Sequence, residues 1–341
     1  FSLSTGGRFG SFVTTFGGIL EPPLPEARRA WVFDRDRLTG GTEGEGEGEG
    51  EGEGEGEGEA PCGASYLRPD DFTEDGVIGT SFGQEMLYLA QRPSAEMSSV
   101  VRYSLFSPQQ PAAEFQVIPT APQQAYNDLA VFTSAQGNPL LAASAGDYPD
   151  NTPAYIQLFD IGISSMPSPY ATYIPGQDTP WLGDITNPQP GDITASDTGG
   201  YLYALLAQPN VVIELWAADG AFFVTSRVDL VGAAYPEHIL FADGVVHVAR
   251  GDGTIETLST PDMAVLAPLA TGTAISTLAR VPDGGDFGRS TVLVGDYNGD
   301  VSAFAAGGAP AALTPFLSAH GGGVIDAITA TSTTLHVRTT N

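Results

Sequence analysis

"STVLVGDYNGDVSAFA", residues Ser290 to Ala305, admits two readings. Asp296, Asn298 and Asp300 alternate in it like the opening ligands of a calcium loop. A loop of that kind starting at Asp296 needs Gly at its sixth position and a bidentate Glu at its twelfth. The chain has Val301 and Gly307 there. The other reading is a hairpin. Asn298-Gly299 lies between two runs of alternating apolar residues, and this dipeptide accepts positive φ at both central positions of a type I′ turn. Asp296 and Asp300 then flank the turn, where Asp is common because its carboxylate bonds nearby amides. The spacing favours the hairpin.

The hairpin is one of a series. "VVHVARGDGTIETL" (Val245 to Leu258) lies over "TVLVGDYNGDVSAF" (Thr291 to Phe304) at an offset of 46 residues, with Asp252-Gly253 on Asn298-Gly299. The strand after the turn carries a bulky apolar marker at Phe33, Phe106, Phe159, Trp216, Leu258 and Phe304. The strand before it recurs as "MLYLAQ", "LLAAS", "YLYALLA", "VHVAR", "VLVGD" and "LHVRT". Once an acidic insert is set aside, the markers fall 42 to 57 residues apart. Helical periodicity is nearly absent. Units of about this length built from four short strands are the signature of a β-propeller. The expectation is an all-β, single-domain propeller over 1–341, seven-bladed with one incomplete blade, because the last segment "VIDAITATSTTLHVRTT" supplies only two strands. A six-bladed ring is the alternative. The incomplete blade implies that upstream sequence or a neighbouring subunit covers its edge.

The units "ILFADGVVHVARGDGTIETLSTPD" and "STVLVGDYNGDVSAFAA" resemble the repeats of PQQ-like and YVTN-type β-propellers. The resemblance is clear over 192–306. It implies a fold shared by quinoprotein dehydrogenases, assembly scaffolds and surface proteins. The tryptophan-docked quinone pocket of the dehydrogenases has no counterpart here, since the only tryptophans are Trp31, Trp181 and Trp216.

Composition narrows the function classes. The 341 residues include no lysine, 13 arginines and 41 acidic residues, a net charge of −28. Such a surface repels nucleic acid and anionic membrane. It suits an extracellular or cell-surface setting, with the periplasm as the alternative. The single cysteine, Cys62, permits neither an intrachain disulfide nor a cysteine-based zinc site. No apolar run reaches membrane-spanning length. The chain begins at Phe1, which reads as a processed protein or a fragment. Nine of the acids lie in the tract Glu43 to Glu59, an alternation of Glu and Gly inside the first unit. Alternate glycines and like charges oppose a helix, so this tract reads as a disordered, solvated insertion.

Few stretches carry chemistry. Arg250-Gly251-Asp252 is an adhesion-like tripeptide, but its Asp is explained by the turn. Nucleophile elbow, phosphate loop and HExxH motifs are all missing. One constellation remains. In a propeller the innermost strands start at one mouth of the channel, and five of them start at or near acids: Asp75, Asp128, Asp192, Glu237 beside His238, and Asp326. No cofactor is expected, with calcium as the one alternative: converging carboxylates with one imidazole could hold that ion or steer a cationic ligand, with Asp128, Asp192, Glu237 and His238 as the ligand-binding set. The plainer reading, which is favoured, is that acids at strand starts satisfy turn amides. His247, His320 and His336 lack metal-ligand spacing.

The expectation is therefore an exported, non-enzymatic propeller that serves as a structural or interaction platform on a cell surface or filament. Its partner would be a protein or a neighbouring subunit, without nucleic acid and without membrane insertion. The alternatives are a lactonase-like hydrolase with a metal at the channel mouth and a periplasmic assembly scaffold.

Overall fold

The computed structural model describes residues 2–3, 9–16, 27–34, 64–67, 72–81, 84–94, 97–104, 107–116, 126–145, 155–162, 169–173, 189–208, 210–218, 221–232, 234–281, 290–308, 312–318, 324–330 and 335–340. Every regular element among them is a strand. The first sheet contains β1 (Ser2–Leu3), β2 (Phe9–Phe16), β3 (Ala27–Asp34) and β4 (Ala64–Leu67). The second contains β5 (Phe72–Ser81), β6 (Gln84–Ser94), β7 (Met97–Ser104) and β8 (Ser107–Gln116). The third contains β9 (Tyr126–Thr133), β10 (Pro139–Ala145), β11 (Tyr155–Asp160) and β12 (Pro169–Tyr173). The fourth contains β13 (Gln189–Ala195), β14 (Tyr201–Gln208), β15 (Val211–Ala218) and β16 (Ala221–Asp229). The fifth contains β17 (Pro236–Ala242), β18 (Val245–Arg250), β19 (Thr254–Ser259) and β20 (Leu269–Ala270). The sixth contains β21 (Ile275–Val281), β22 (Thr291–Asp296), β23 (Asp300–Ala305) and β24 (Thr314–Ser318). A hairpin of β25 (Val324–Ala330) and β26 (Leu335–Thr340) follows. All of these sheets are antiparallel meanders in chain order.

From β5–β8 to β21–β24 the sheets pack face to face, so the described residues of their two middle strands are largely covered on both sides. This is why "VHVAR" and "LLAAS" read as nearly continuous apolar runs: every residue of β18 is buried, and so are all of β10 after Pro139. Core clusters join neighbouring sheets. Met86, Tyr88 and Val100 meet Leu141 and Phe159, and Tyr203 and Leu205 meet Val246, Val248 and Leu258. Val292 and Phe304 meet Ala249 and Ile255. Each fully buried aliphatic side chain contributes about 2 kcal/mol, which fixes the spacing of the sheets.

The blade count departs from expectation. Neither seven nor six is retained: the described residues show five blades, β5–β8 through β21–β24, each with four strands and described side chains in cores shared with its neighbours. Counting turn-strand units in sequence weights every unit equally, whereas a blade also needs four strands and a packed interface. The β25–β26 hairpin has only two strands and rests through Ile325 and Ile328 on the last blade. The side chains of β1–β4 lie outside the described residues. So does the whole of Glu43 to Glu59.

The opening hairpin is present, as β22–β23 paired from Thr291↔Ala305 to Gly295↔Val301. Its turn is of a different type from the one expected. Gly299 N–H donates to Asp296 O at 3.3 Å, and Gly299 has φ +88°. Among described non-glycine residues, positive φ occurs at Asn210, Asp243 and Met263, and Asn298 is outside that set. Tyr297 and Asn298 thus form a type I turn, and Gly299 supplies the left-handed residue of a three-residue loop. The two-residue turn with two positive φ values is at Asp243-Gly244, φ 50° and 78°, between β17 and β18.

Candidate functional site

The first strands β5, β9, β13, β17, β21 and β25 lie side by side in succession, so they are the innermost strands. Each carries a register break near its start, at Thr73/Asp75, Tyr126/Asp128, Pro190/Ile193, Pro236/His238, Ile275/Thr277 and Ile325/Ala327. A bulge leaves an extra residue unpaired and re-aims the side chains around it. The residues that sequence marks at this mouth, with Ser276 added, sit in or next to these bulges.

The bulges direct side chains onto the neighbouring blade. Asp128 Oδ2 accepts from Ile193 N–H at 2.5 Å, while its Oδ1 accepts from Leu129 N–H at 2.9 Å. Asp192 Oδ2 lies 3.0 Å from His238 Nδ1. His238 in turn bonds the backbone of Ser276, and Ser276 Oγ donates to Ile325 O. Side chains thus tie β9 to β13, β13 to β17, β17 to β21 and β21 to β25. Two further bonds reinforce the series: Ser144 Oγ donates to Gly191 O at 3.2 Å, and Phe241 N–H donates to Thr194 Oγ1 at 3.1 Å.

The electrostatics of His238 follow from this geometry. Burial opposes its charged form. The Asp192 hydrogen bond, the carboxylates of Asp192 and Glu237, and the Ser276 backbone outweigh that effect, so its pKa is raised above the ordinary 6.5. Glu237 is exposed, with its carboxylate over Gly251, where a Cβ would meet Oε1 at 2.6 Å. Asp75 and Asp326 are placed by backbone in β5 and β25, but their side chains lie outside the described residues. Among the described residues, no three His, Cys, Asp or Glu side chains converge in a way that could hold a metal ion.

Asp296, first of the calcium-like residues, already has both oxygens engaged. Oδ1 accepts from Asn298 N–H and Asp300 N–H at 2.9 Å each, and Oδ2 accepts from Thr273 Oγ1 at 2.9 Å. The Arg250-Gly251-Asp252 tripeptide has a buried arginine, 2% exposed. Its guanidinium donates to Ala234 O at 2.8 Å and lies 3.0 Å from Glu256, in contact without hydrogen-bond geometry. A receptor reading that tripeptide would find its cation out of reach. His247 is wholly buried, with Nδ1 3.0 Å from Thr257 Oγ1 and Nε2 without a partner. Burial lowers its pKa to about 4.

Two features of the site had no sequence signal strong enough to single them out. One is Ser276, a tie that looks like any strand serine. The other is the group of exposed residues on the loops around the mouth: Val231, Tyr235 and Tyr297.

No protein-family model matches the chain, and no curated protein matches it significantly. Solved structures do. A crystal structure of BBS1N in complex with ARL6DN is 12% identical, with a TM-score of 0.55 over 93% of this chain and 83% of that one. A chain of the Mitotic Checkpoint Complex is 12% identical, with a TM-score of 0.56 over 89% and 78%. Saccharomyces cerevisiae Sqt1 is 10% identical, with a TM-score of 0.59 over 96% and 74%. The chain has the β-propeller fold. Identities this low carry the fold alone, and they give the PQQ-like and YVTN-type resemblance no support beyond it.

Proposed function

We propose that this propeller is a non-enzymatic interaction platform, exported and displayed on a cell surface or filament, that binds another protein. The observation that carries the reading is the series of ties at the mouth. Asp128, Asp192, His238 and Ser276 hold neighbouring blades together, so the polar groups best placed for chemistry act as fasteners, and the loops above them stand on a rigid base. Binding through preorganised loops loses little conformational freedom. Propellers of similar architecture occur within protein complexes, as BBS1N does with ARL6DN. The absence of lysine and the net charge of −28 support export into a saline medium.

The test is site-specific photocross-linking. A benzophenone amino acid at Tyr235 should capture one defined protein from surface extracts of the source organism, and the same group at Phe223, near the opposite end of a blade, should not. Calcium-dependent lactone hydrolysis by the purified protein, lost in Asp192→Asn, would overturn the reading in favour of an enzyme.

A further inference from the structure

Val231, Tyr235 and Tyr297 are 87%, 60% and 50% exposed, and the backbone places them at one end of two adjacent blades. The loop before β17, the turn between β18 and β19, the loop before β21 and the turn between β22 and β23 all emerge at the end where inner strands begin, because the strands alternate in direction. Hydrogen bonds join these four segments into one belt. Gly251 N–H donates to Tyr235 O at 3.1 Å, and Thr271 N–H to Gly253 O at 2.8 Å. Thr273 Oγ1 bonds Asp296 Oδ2 at 2.9 Å, and Tyr297 N–H donates to Ala274 O at 3.2 Å. The belt thus joins the backbones of Tyr235 and Tyr297, and Gly232, next to Val231, lies against the Arg250 guanidinium, where a Cβ would meet it at 3.0 Å.

Among the described residues, the exposed charge on that surface has one sign. Glu237, Asp252 and Asp300 are exposed on the belt. Arg250 is buried and turned inward to Ala234 and Glu256, and Arg227 is bonded to Asp229 at 2.6 Å. The opposite end is arranged differently. There Arg280 grips both oxygens of Asp197 at 2.8 Å and reaches Asp243 at 3.0 Å, so both carboxylates are engaged and half of their charge is offset. Tyrosine faces attract guanidinium and ammonium groups, and tyrosine is a favoured anchor at protein interfaces. A second copy of this chain, carrying the same −28, is a poor occupant.

We propose that the face bearing Val231, Tyr235 and Tyr297 docks an arginine- or lysine-rich segment of a partner protein. The proposal rests on the platform reading above and names the partner's chemistry. Tyrosine rings take the stems and charged heads of the basic side chains, Val231 supplies an apolar anchor, and Glu237 and Asp252 set the register.

The test is fluorescence anisotropy of the full chain with a short labelled peptide alternating arginine and serine, and with its glutamate counterpart. The arginine peptide should bind and the glutamate peptide should not. Tyr235→Ser with Tyr297→Ser should weaken binding on the order of tenfold, as should Glu237→Gln with Asp252→Asn. The latter pair removes two charges of a large excess, so a general polyanion effect would hardly register. Phe223→Ser, on the other end, should bind as the parent does. The inference is overturned if the face variants bind like the parent, or if Phe223→Ser weakens binding equally, since the attraction would then belong to the whole chain. Failure of the two readings separates cleanly. Cross-linking from Tyr235 to a partner lacking a basic segment sinks this inference and keeps the platform. Face-dependent peptide binding without any protein captured at Tyr235 sinks the platform.

Discussion

The turn at Arg250-Gly251-Asp252-Gly253 and the turn at Asp296-Tyr297-Asn298-Gly299 share a backbone and divide over the residue that opens them. In both, the carbonyl of the first residue accepts from the glycine amide, at 2.9 and 3.3 Å, and the glycine sits at φ +80° and +88°. In the first, a buried arginine reaches out of the hairpin to Ala234 and across it to Glu256. In the second, a buried aspartate folds back to cap Asn298 and Asp300 and takes a hydroxyl from Thr273. The two hairpins then meet through His247 and Phe304, edge to face with ring centroids 5.0 Å apart. The repeat thus conserves a path for the chain and leaves the anchoring of each turn to its own side chains. Sequence superposition detects the former and is blind to the latter.

Breaking the arginine anchor should have the largest effect. Arg250→Met leaves Glu256 half of a buried pair and Ala234 O without its donor, and should cost about 4 kcal/mol in urea unfolding, whereas Arg227→Met, which breaks a pair with the exposed Asp229, should cost no more than about 1 kcal/mol. If Arg250→Met proved silent, the anchor would be ornamental and the two turns would be equivalent.

The glycine position sharpens the comparison next. A Cβ on Gly253 would lie 2.1 Å from Thr273 O, in addition to the strain of its positive φ, so Gly253→Ala should destabilise by about 3 kcal/mol. Gly137, at φ +87°, has nothing within 4 Å, and Gly137→Ala should show only the backbone strain of about 1 kcal/mol. Equal losses at the two sites would mean that the contact with Thr273 is irrelevant.

The histidine between the hairpins makes a pH prediction. His247 has a folded pKa of about 4 against 6.5 when unfolded, so the unfolded chain takes up the proton first. Its contribution is complete above pH 6.5, falls as the pH drops towards 4 and levels off below that. The parent should lose about 3 kcal/mol more than His247→Leu across that window in urea titrations. Parallel stability curves would refute it. His238 has the opposite sign: its pKa is raised, so the stability it adds is present below pH 6.5 and lost as the pH climbs through its folded value.

The smallest effect is expected at Asn298. Its φ is not positive, and its amide, which any residue but proline provides, makes the bond to Asp296. Asn298→Val should change stability by less than about 0.5 kcal/mol, measured beside the Gly253 pair. A larger loss would restore the two-residue turn that the dipeptide suggests.

Strand identity was legible because alternation and Asp/Asn-Gly turns are local signals, and the markers Phe159, Trp216, Leu258 and Phe304 all fall on third strands. The turn type was not, because Asn-Gly serves both a two-residue turn and the end of a type I turn. The burial of His247 was hidden because blades cover both faces of their middle strands, so a polar residue there gives no clue to its side. The bulges were hidden more deeply. One extra residue in "PEHILFA" or "AISTLARV" leaves propensities unchanged, yet it is the bulge that sets Asp192, Glu237 and Ser276 where they stand. Sequence thus placed Asp192 and His238 at one mouth but gave no sign that they hold each other.

The bond from Ile193 N–H to Asp128 joins two separate sheets. That amide can trade its proton for deuterium only when blades part, whereas most strand amides are released by fraying within one sheet. Its exchange rate is therefore a clock for the opening of a seam, and a partner bridging adjacent blades would slow it without touching it.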